Sequence, residues 1–242
     1  MAKETCAVIL AAGNGSRLNC KEIPKAMVEV GGKPVIGHPL NALYNSQFTE
    51  ESISVVVGRK KKIVSDYCFK SARICEQPIQ DGNLSAIESA LVGLPQRFTD
   101  ILVIHADDGL NLSPYAISSL LDIHEKRGFS ITLLLSHNYR SSAHRKHYLL
   151  NESFVSSIQP ISQTDGRVNV FTGVYCFDRK NFEDKAKLVE ALEGKERQIT
   201  PIINMAFDQK SLGAMVWENT WLGINTPIEL AIARELAGAG LA

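Results

Sequence analysis

Short apolar runs alternate with segments of helical periodicity through the first half of the chain. The apolar runs predict β-strands at Cys6–Leu10, Ile53–Gly58, Arg73–Glu76, Asp100–Ala106 and Ser130–Ser136. Apolar residues at helical spacing predict helices at Leu84–Leu94 and Pro114–Lys126, the second with Ser113 as its N-cap. Because this alternation is typical of a parallel sheet covered by helices on both faces, we expect a doubly wound, mostly parallel α/β fold.

The second half of the chain has a looser pattern. A basic, serine-rich stretch at 138–148, NYRSSAHRKHY, is typical of a solvated loop, although its charges could also bind a phosphate. Beyond it the pattern predicts strands at Phe154–Ile158 and Phe171–Phe177, helices at Asn181–Leu192 and Pro201–Asp208, a strand in GAMVWENTWLGI and a helix whose N-cap is Thr226. Since no linker or internal repeat interrupts the chain, we expect residues 1–242 to form one domain.

Charge and cysteine content exclude several classes of protein. The chain has 26 Lys and Arg against 26 Asp and Glu, so no net charge favours nucleic acid or an anionic membrane. No apolar run approaches the roughly 20 residues that span a bilayer, and no secretory signal pattern occurs, so we expect a cytoplasmic protein. The five cysteines contain no CxxC pair, which argues against a zinc site or a disulfide framework, and Cys6 and Cys176 are expected to be small core residues.

The segment that follows the first predicted strand, LAAGNGSRLNCKEIPKAMVEVGGKP, combines flexible glycines with positive charge. Gly13 and Gly15 allow a ligand to approach the backbone closely, and Arg17 and Lys25 supply cations, so a phosphate-binding loop is indicated. A P-loop would need the pattern GxxxxGKS/T, which is absent here. A dinucleotide-binding GxGxxG loop would need a third glycine where Leu18 stands.

The stretches LAAGNGSRL and IPKAMVEVGGKPVIGH resemble instead the signature of the sugar-phosphate nucleotidyltransferases. The stretch EQPIQDGNLSAIESAL resembles the base-reading segment of that family, with Asn83 in the place of its usual threonine. The nearest similarity is to the uridylyltransferase half of the bifunctional N-acetylglucosamine-1-phosphate enzymes. Because no hexapeptide repeats follow the last predicted helix, we expect no C-terminal β-helix domain and no acetyltransferase activity on this chain.

The resemblance implies a Rossmann-like nucleotide-diphospho-sugar transferase fold, with a nucleotide-binding half at 1–138 and an acceptor-binding half at 139–242. It implies Arg17 and Lys25 as catalytic residues that neutralise phosphate charge, and Asp107 and Asn225 as ligands of Mg²⁺. The implied nucleotide-binding residues are Leu10, Ala11, Ala12, Gly13, Asn14, Gly15, Ser16, Gln77, Gly82 and Asn83.

The implied acceptor site departs from the family pattern. Asp108, Phe171, Thr172 and Gly173 are its candidate residues, but Phe171 stands where the family usually has an asparagine that contacts the sugar. The resemblance therefore implies transfer from a nucleoside triphosphate, with UTP favoured, to a sugar-1-phosphate with release of pyrophosphate. Two alternatives stay open: a CTP-dependent cytidylyltransferase for phosphocholine or a polyol phosphate, and a catalytically silent nucleotide-sugar-binding regulator. The sequence leaves the acceptor, the base and the oligomeric state undecided.

Overall fold

Among the described residues, a nine-stranded sheet forms the centre of the molecule. The computed structural model describes residues 4–13, 15, 18, 23–58, 60–137, 146–161, 168–189, 196–219 and 221–239. The strands of both sheets, in chain order, are β1 (Glu4–Leu10), β2 (Glu29–Val30), β3 (Lys33–Pro34), β4 (Ile53–Val57), β5 (Arg73–Glu76), β6 (Phe98–His105), β7 (Ile131–Ser136), β8 (Lys146–Asn151), β9 (Phe154–Pro160), β10 (Val170–Asp178) and β11 (Leu212–Trp217). Strands β2 and β3 pair separately as a small antiparallel hairpin.

The order of strands in the large sheet is β5-β4-β1-β6-β10-β7-β11-β9-β8. Strands β5, β4, β1 and β6 are mutually parallel, and β7 is parallel to β11. Strand β10 lies antiparallel between β6 and β7, so these two strands run in the same direction on either side of it. The two halves of the chain therefore interlock in the sheet, because β10 from the second half lies between β6 and β7 from the first.

Helices cover both faces of this sheet. Among the described residues the α-helices are α1 (Gly37–Asn45), α2 (Lys61–Cys68), α3 (Asn83–Leu91), α4 (Pro114–Arg127), α5 (Arg179–Ala186), α6 (Thr200–Asp208) and α7 (Pro227–Gly238). Alternate residues of β1 point to opposite faces: Cys6 and Val8 pack with α3, α5 and α6, whereas Ala7 and Ile9 pack with α1, α2 and α4. The expected mostly parallel, doubly wound α/β fold is confirmed. No helix in this part of the chain is long and apolar enough to cross a membrane.

Element boundaries agree closely with the patterns in the sequence where local signals are strong. Strand β5 has the predicted bounds, and α4 begins where Ser113 Oγ accepts a hydrogen bond from the Ala116 N–H at 3.1 Å. Helix α5 is shorter than predicted and ends at Ala186. Cys6 and Cys176 are fully buried, as expected.

The basic stretch contains a strand that the sequence pattern did not indicate. Residues 138–145 lie outside the described residues, but Lys146 and His147 begin β8. His147 is only 5% exposed, and its Nδ1 accepts a hydrogen bond from the Asn169 N–H at 2.9 Å. The expectation of a loop is therefore wrong at these two residues. The expectation of solvation is wrong at His147 alone, because an imidazole that bonds to a neighbouring backbone can be buried as part of a strand.

Candidate functional site

A cleft of about 350 Å³ opens at the carboxyl ends of β1 and β6, the edge of a parallel sheet where ligands generally bind. Many of the residues singled out from the sequence line it: Leu10, Ala11, Ala12, Gly13, Gly15, Lys25, Gln77, Gly82, Asn83, Asp107 and Asn225. Asn14, Ser16 and Arg17 lie outside the described residues. The fold thus brings together segments that are far apart in the chain.

Lys25 lies between the two predicted metal ligands. Its Nζ donates a hydrogen bond to the Asp107 carboxylate and a second, of 3.1 Å, to Asn225 Oδ1. The Lys25 and Asp107 side chains are 13% and 24% exposed, so this ion pair is partly shielded from water. Burial alone would raise the pKa of the Asp107 carboxyl, but the charges of Lys25 and His105 outweigh it and hold that pKa below its usual value.

Local backbone structure fixes the position of Lys25. Pro24 has an extended conformation and leads into a single 3₁₀ turn at Lys25–Met27. Gly15 has a φ of +63°, and a Cβ at that residue would lie 3.0 Å from the Lys25 Cβ. Glycine at this position therefore lets the loop after β1 pack directly against Lys25.

The start of α7 fixes the position of Asn225. The Ile224 N–H donates to the Asp107 carbonyl at 2.9 Å, which ties this segment to the loop after β6. Glu229 Oε2 accepts from the Asn225 N–H at 2.6 Å and from the Thr226 N–H at 2.9 Å, while Thr226 Oγ1 accepts from the Glu229 N–H at 3.2 Å. Thr226 was predicted as the N-cap, and the capping box that it forms with Glu229 also holds the backbone of a residue in the cleft.

The segment Gln77–Asn83 forms another wall of the cleft. Gln77 Nε2 donates to the Gly82 carbonyl at 2.9 Å and to Ser85 Oγ at 3.0 Å, so its amide orientation is fixed. Asn83 begins α3, and its Oδ1 accepts from the Ile199 N–H at 2.7 Å. Both side chains therefore stabilise this wall.

Residues 196–199, here called the strap, cross from the second half of the chain onto this wall. Gly82 has a φ of +125°, and a Cβ there would lie 2.2 Å from the Arg197 carbonyl oxygen. That oxygen accepts from the Leu84 N–H at 3.0 Å, and the Arg197 guanidinium forms a bidentate ion pair with Glu88 at 2.5 and 3.1 Å. Glu196 and Gln198, on either side of Arg197, line the cleft, and Gln198 Nε2 donates to Glu196 Oε2 at 2.6 Å.

Four polar residues of the cleft were not identified from the sequence: Gln80, His105, Glu196 and Gln198. His105 could have been found from its position at the end of β6, two residues before Asp107. The ligand atoms of His105, Asp107 and Asp108 all lie within 4.8 Å of one another. Glu196 and Gln198 carry no comparable signal, because only the tertiary structure brings the strap to α3.

The four predicted acceptor residues lie outside the described lining of the cleft. Thr172 is fully buried, and its Oγ1 donates to the Leu134 carbonyl at 2.8 Å. Gly173 has a φ of +84°, and a Cβ there would lie 2.7 Å from Asp108 Oδ2. Phe171 packs against Tyr175 with ring centroids 5.5 Å apart. The burial of Thr172 inside the sheet does not support a contact between its hydroxyl and an acceptor.

Comparison with known proteins identifies the family of this chain. Residues 7–175 match the model of the MobA-like NTP transferase domain. The bifunctional protein GlmU of Clostridium perfringens is 27% identical over 237 residues, which are 93% of this chain and 50% of that protein. GlmU of Enterococcus faecalis is 28% identical over 239 residues, which are 95% of this chain and 51% of that protein. The chain thus spans about half the length of these relatives.

Two solved structures share the fold. A provisionally named glucose-1-phosphate thymidylyltransferase of Bacillus anthracis superposes with a TM-score of 0.79 at 21% identity, covering 97% of this chain and 95% of the other. The inositol-1-phosphate CTP transferase of T. maritima superposes with a TM-score of 0.72 at 18% identity, covering 100% and 99% of the two chains. The family match extends over most of the chain and includes β6 and the carboxyl end of β1, where the cleft lies. The chain belongs to the MobA-like NTP transferase domain family.

Proposed function

We propose that this chain is a Mg²⁺-dependent nucleotidyltransferase that joins a nucleoside triphosphate, with UTP preferred, to a sugar-1-phosphate and releases pyrophosphate. The observation that carries this proposal is the contact of the Lys25 ammonium with Asp107 and Asn225 in the cleft. Two polyanionic substrates can react only where cations neutralise their charge, and this cluster supplies one cation and the ligands for another.

The chemistry of the cluster fits a magnesium ion. Asp107 offers a carboxylate and Asn225 an amide oxygen, and both are the hard oxygen ligands that Mg²⁺ prefers. Both oxygens already converge on the positive charge of Lys25, which is evidence that the pair is arranged around a cation. When bound, the ion would neutralise charge on the substrate phosphates and align them.

The residues of the chain support the reaction by positioning and by charge. A phosphate oxygen of the acceptor forms a bond to the α-phosphorus, and the bond between that phosphorus and the bridging oxygen breaks, so that pyrophosphate leaves with the electron pair. Lys25 would offset the negative charge that gathers around the α-phosphate, while backbone N–H groups of the loop after β1 would bind the triphosphate. In this proposal Arg17 binds the departing phosphates through its fork of donors.

The preference for UTP rests on the resemblance of the sequence to the uridylyltransferase half of the bifunctional N-acetylglucosamine-1-phosphate enzymes and on the segment around Gln77. Both N–H groups of its amide donate within the wall, so only Gln77 Oε1 would accept a hydrogen bond from the edge of the base. Uracil and cytosine each offer an N–H, so this contact does not by itself select uracil. Glu196 and Gln198 bring polar groups from the second half into the cleft, where they could contact hydroxyl groups of the acceptor.

A CTP-dependent reaction with a polyol phosphate is the second candidate. It is favoured by the departure at Phe171 from the family's usual sugar contact. The likeness in fold to the inositol-1-phosphate CTP transferase of T. maritima is compatible with it. A silent regulator is a weaker candidate, because Lys25, Asp107 and Asn225 are all present and in contact.

Pyrophosphate release with Mg²⁺ tests the proposal. Each common nucleoside triphosphate is combined with a panel of sugar-1-phosphates, phosphocholine and polyol phosphates, for the wild type and for Asp107→Ala. We expect release in one combination, abolished by Asp107→Ala. The unfolding temperature should stay nearly unchanged, because Lys25 faces the cleft and keeps its hydrogen bond to Asn225, so its charge is not left buried without a partner. Asp122→Ala, which removes an exposed ion pair with Lys126, is the control and should stay active.

Two results would contradict the proposal. Absence of release in every combination, together with tight binding of a nucleotide sugar, would favour the regulatory alternative. A large fall in the unfolding temperature of Asp107→Ala would instead assign that residue a structural role.

A further inference from the structure

Gln80 connects three segments that follow neighbouring strands of the sheet. It lies in the loop between β5 and α3, and its Nε2 donates a hydrogen bond of 2.9 Å to the carbonyl of Ala12, after β1. To reach Ala12, the Gln80 side chain passes directly over Gly58, the residue that follows β4. A Cβ at Gly58 would lie 1.8 Å from Gln80 Nε2 and 2.6 Å from the Ala12 oxygen, so glycine is required for this contact.

The bond continues the hydrogen bonding of the sheet into the loop. The Ala11 N–H donates to the Val56 carbonyl at 2.9 Å, and the Ala106 N–H donates to the Leu10 carbonyl at 3.1 Å, so strand-like bonding holds the chain as far as Ala11. The Gln80 side chain holds the next residue. Ala12 and Gln80 both line the cleft, so the bond lies at the surface that a ligand would contact.

The orientation of the Ala12 carbonyl determines that of the following N–H. The Ala12–Gly13 peptide is trans, so its carbonyl and the Gly13 N–H lie in one plane and point in opposite directions. A carbonyl held toward Gln80 therefore fixes the direction of the Gly13 donor before any ligand arrives. Fixed backbone donors bind phosphates and base edges with less loss of conformational freedom than mobile ones.

We propose that Gln80 is a positioning residue for the nucleotide: through the Ala12 carbonyl it sets the conformation of the loop at Ala12–Gly13 that receives the nucleoside triphosphate. This inference rests on the proposed function for the identity of the ligand. Gln80 acts on binding rather than on the chemical step, because its bond is present before substrate binds and involves no reacting group.

The test compares Gln80→Met with the wild type. Methionine has a similar length but no donor, so only the hydrogen bond is lost. Dissociation constants for UTP and for CTP, each with Mg²⁺ and without acceptor, are measured by calorimetry, and KM and kcat follow from pyrophosphate release. We expect the dissociation constant and the KM for the preferred triphosphate to rise about fivefold, the factor of one neutral hydrogen bond. The kcat at saturating nucleotide should stay within about twofold, as for uniform binding.

Two further variants sharpen the result. Gly58→Ala keeps glutamine at position 80, but the new Cβ displaces the Gln80 amide and the Ala12 carbonyl. It should therefore raise the dissociation constant and the KM for the triphosphate at least as much as Gln80→Met does. Gln96→Met changes an exposed glutamine before β6, away from the cleft, and should change neither constant. Thermal unfolding of each variant verifies that it is folded.

The outcomes separate this inference from the proposed function. An unchanged dissociation constant in Gln80→Met, with a lower unfolding temperature alone, would reduce Gln80 to a packing role and overturn the inference. A lower kcat at an unchanged dissociation constant would overturn it as well. A wild type that binds a triphosphate but never releases pyrophosphate would defeat the proposed function alone, and a weakened affinity in Gln80→Met would then still support the inference.

Discussion

The contact of the strap with Gly82 gives a prediction whose size can be worked out from the structure. In Gly82→Ala the new Cβ would lie 2.2, 2.7 and 2.8 Å from the carbonyl oxygen, carbonyl carbon and nitrogen of Arg197. All three are backbone atoms, which cannot rotate away as the end of a flexible side chain would. We therefore expect the strap to move as a unit.

Two costs contribute to the loss of stability. Gly82 has φ +125° and ψ −179°, a conformation that is nearly restricted to glycine, and forcing alanine into it costs about 1–3 kcal/mol. Displacing the strap also breaks the bonds of Leu84 N–H to Arg197 and of Ile199 N–H to Asn83, each worth ~1 kcal/mol. A total of about 3–5 kcal/mol lowers the unfolding temperature of a chain of this size by roughly 10 °C.

Gly128→Ala is a matched control for this measurement. Gly128 is the C-cap residue that follows α4, with a φ of +63°, and a Cβ there would meet no atom within 4 Å. Backbone strain alone should therefore lower the free energy of unfolding of Gly128→Ala, by ~1 kcal/mol. The assay is thermal unfolding of both variants followed by circular dichroism, with UTP and CTP affinities measured in parallel. Equal falls in unfolding temperature for the two variants, with nucleotide affinity unchanged in Gly82→Ala, would refute the argument that the strap is packed against Gly82.

Two other predictions concern the cap of α7 and the cysteines. Glu229→Ala removes the acceptor for the Asn225 and Thr226 N–H groups, so it should lower the free energy of unfolding by ~1–2 kcal/mol and weaken Mn²⁺ binding measured by electron paramagnetic resonance. Glu229→Gln keeps an acceptor oxygen and should lose much less stability and affinity. Equal losses in the two variants would contradict this role of Glu229. Burial raises the pKa of the Cys6 and Cys68 thiols to about 11, and Cys75 and Cys176 are also buried. In a Cys20→Ser protein, a thiol reagent at pH 8 should therefore label no cysteine until denaturant is added. Rapid labelling of the native protein would contradict this prediction.

The sequence was most informative where one local signal determines the outcome. Continuous apolar runs identified the buried strands, and an N-cap serine with a proline identified the start of α4. The motif residues Lys25, Asp107 and Asn225 were identified in separate segments, and the structure brings them into contact. Lys25 and Asp107 come after the neighbouring parallel strands β1 and β6, whose carboxyl ends meet at one edge of the sheet. Asn225 is brought there by the bond of the Ile224 N–H to the Asp107 carbonyl.

The remainder of the site depends on tertiary contacts that no local pattern encodes. Glu196 and Gln198 reach the cleft only because Gly82 leaves space for the backbone of Arg197. Thr172 was selected from a motif position, yet the hydrogen bond to Leu134 uses its hydroxyl inside the sheet. A motif gives the residue and its place along the strand, but it does not state to which side of the sheet that residue turns.

The central position of β10 has a consequence for the order in which the protein can fold. Strands β6 and β7 both pair with β10, although β10 follows them in the chain with β8 and β9 in between. During synthesis both strands therefore have an edge without its final partner until Val170–Asp178 has left the ribosome, and such open edges favour association with other chains. Residues 1–138 alone would contain β1, β4, β5, β6 and β7 but could not close the sheet between the last two. Completion of the sheet that carries the cleft thus depends on β10, which pairs at its centre and is translated late.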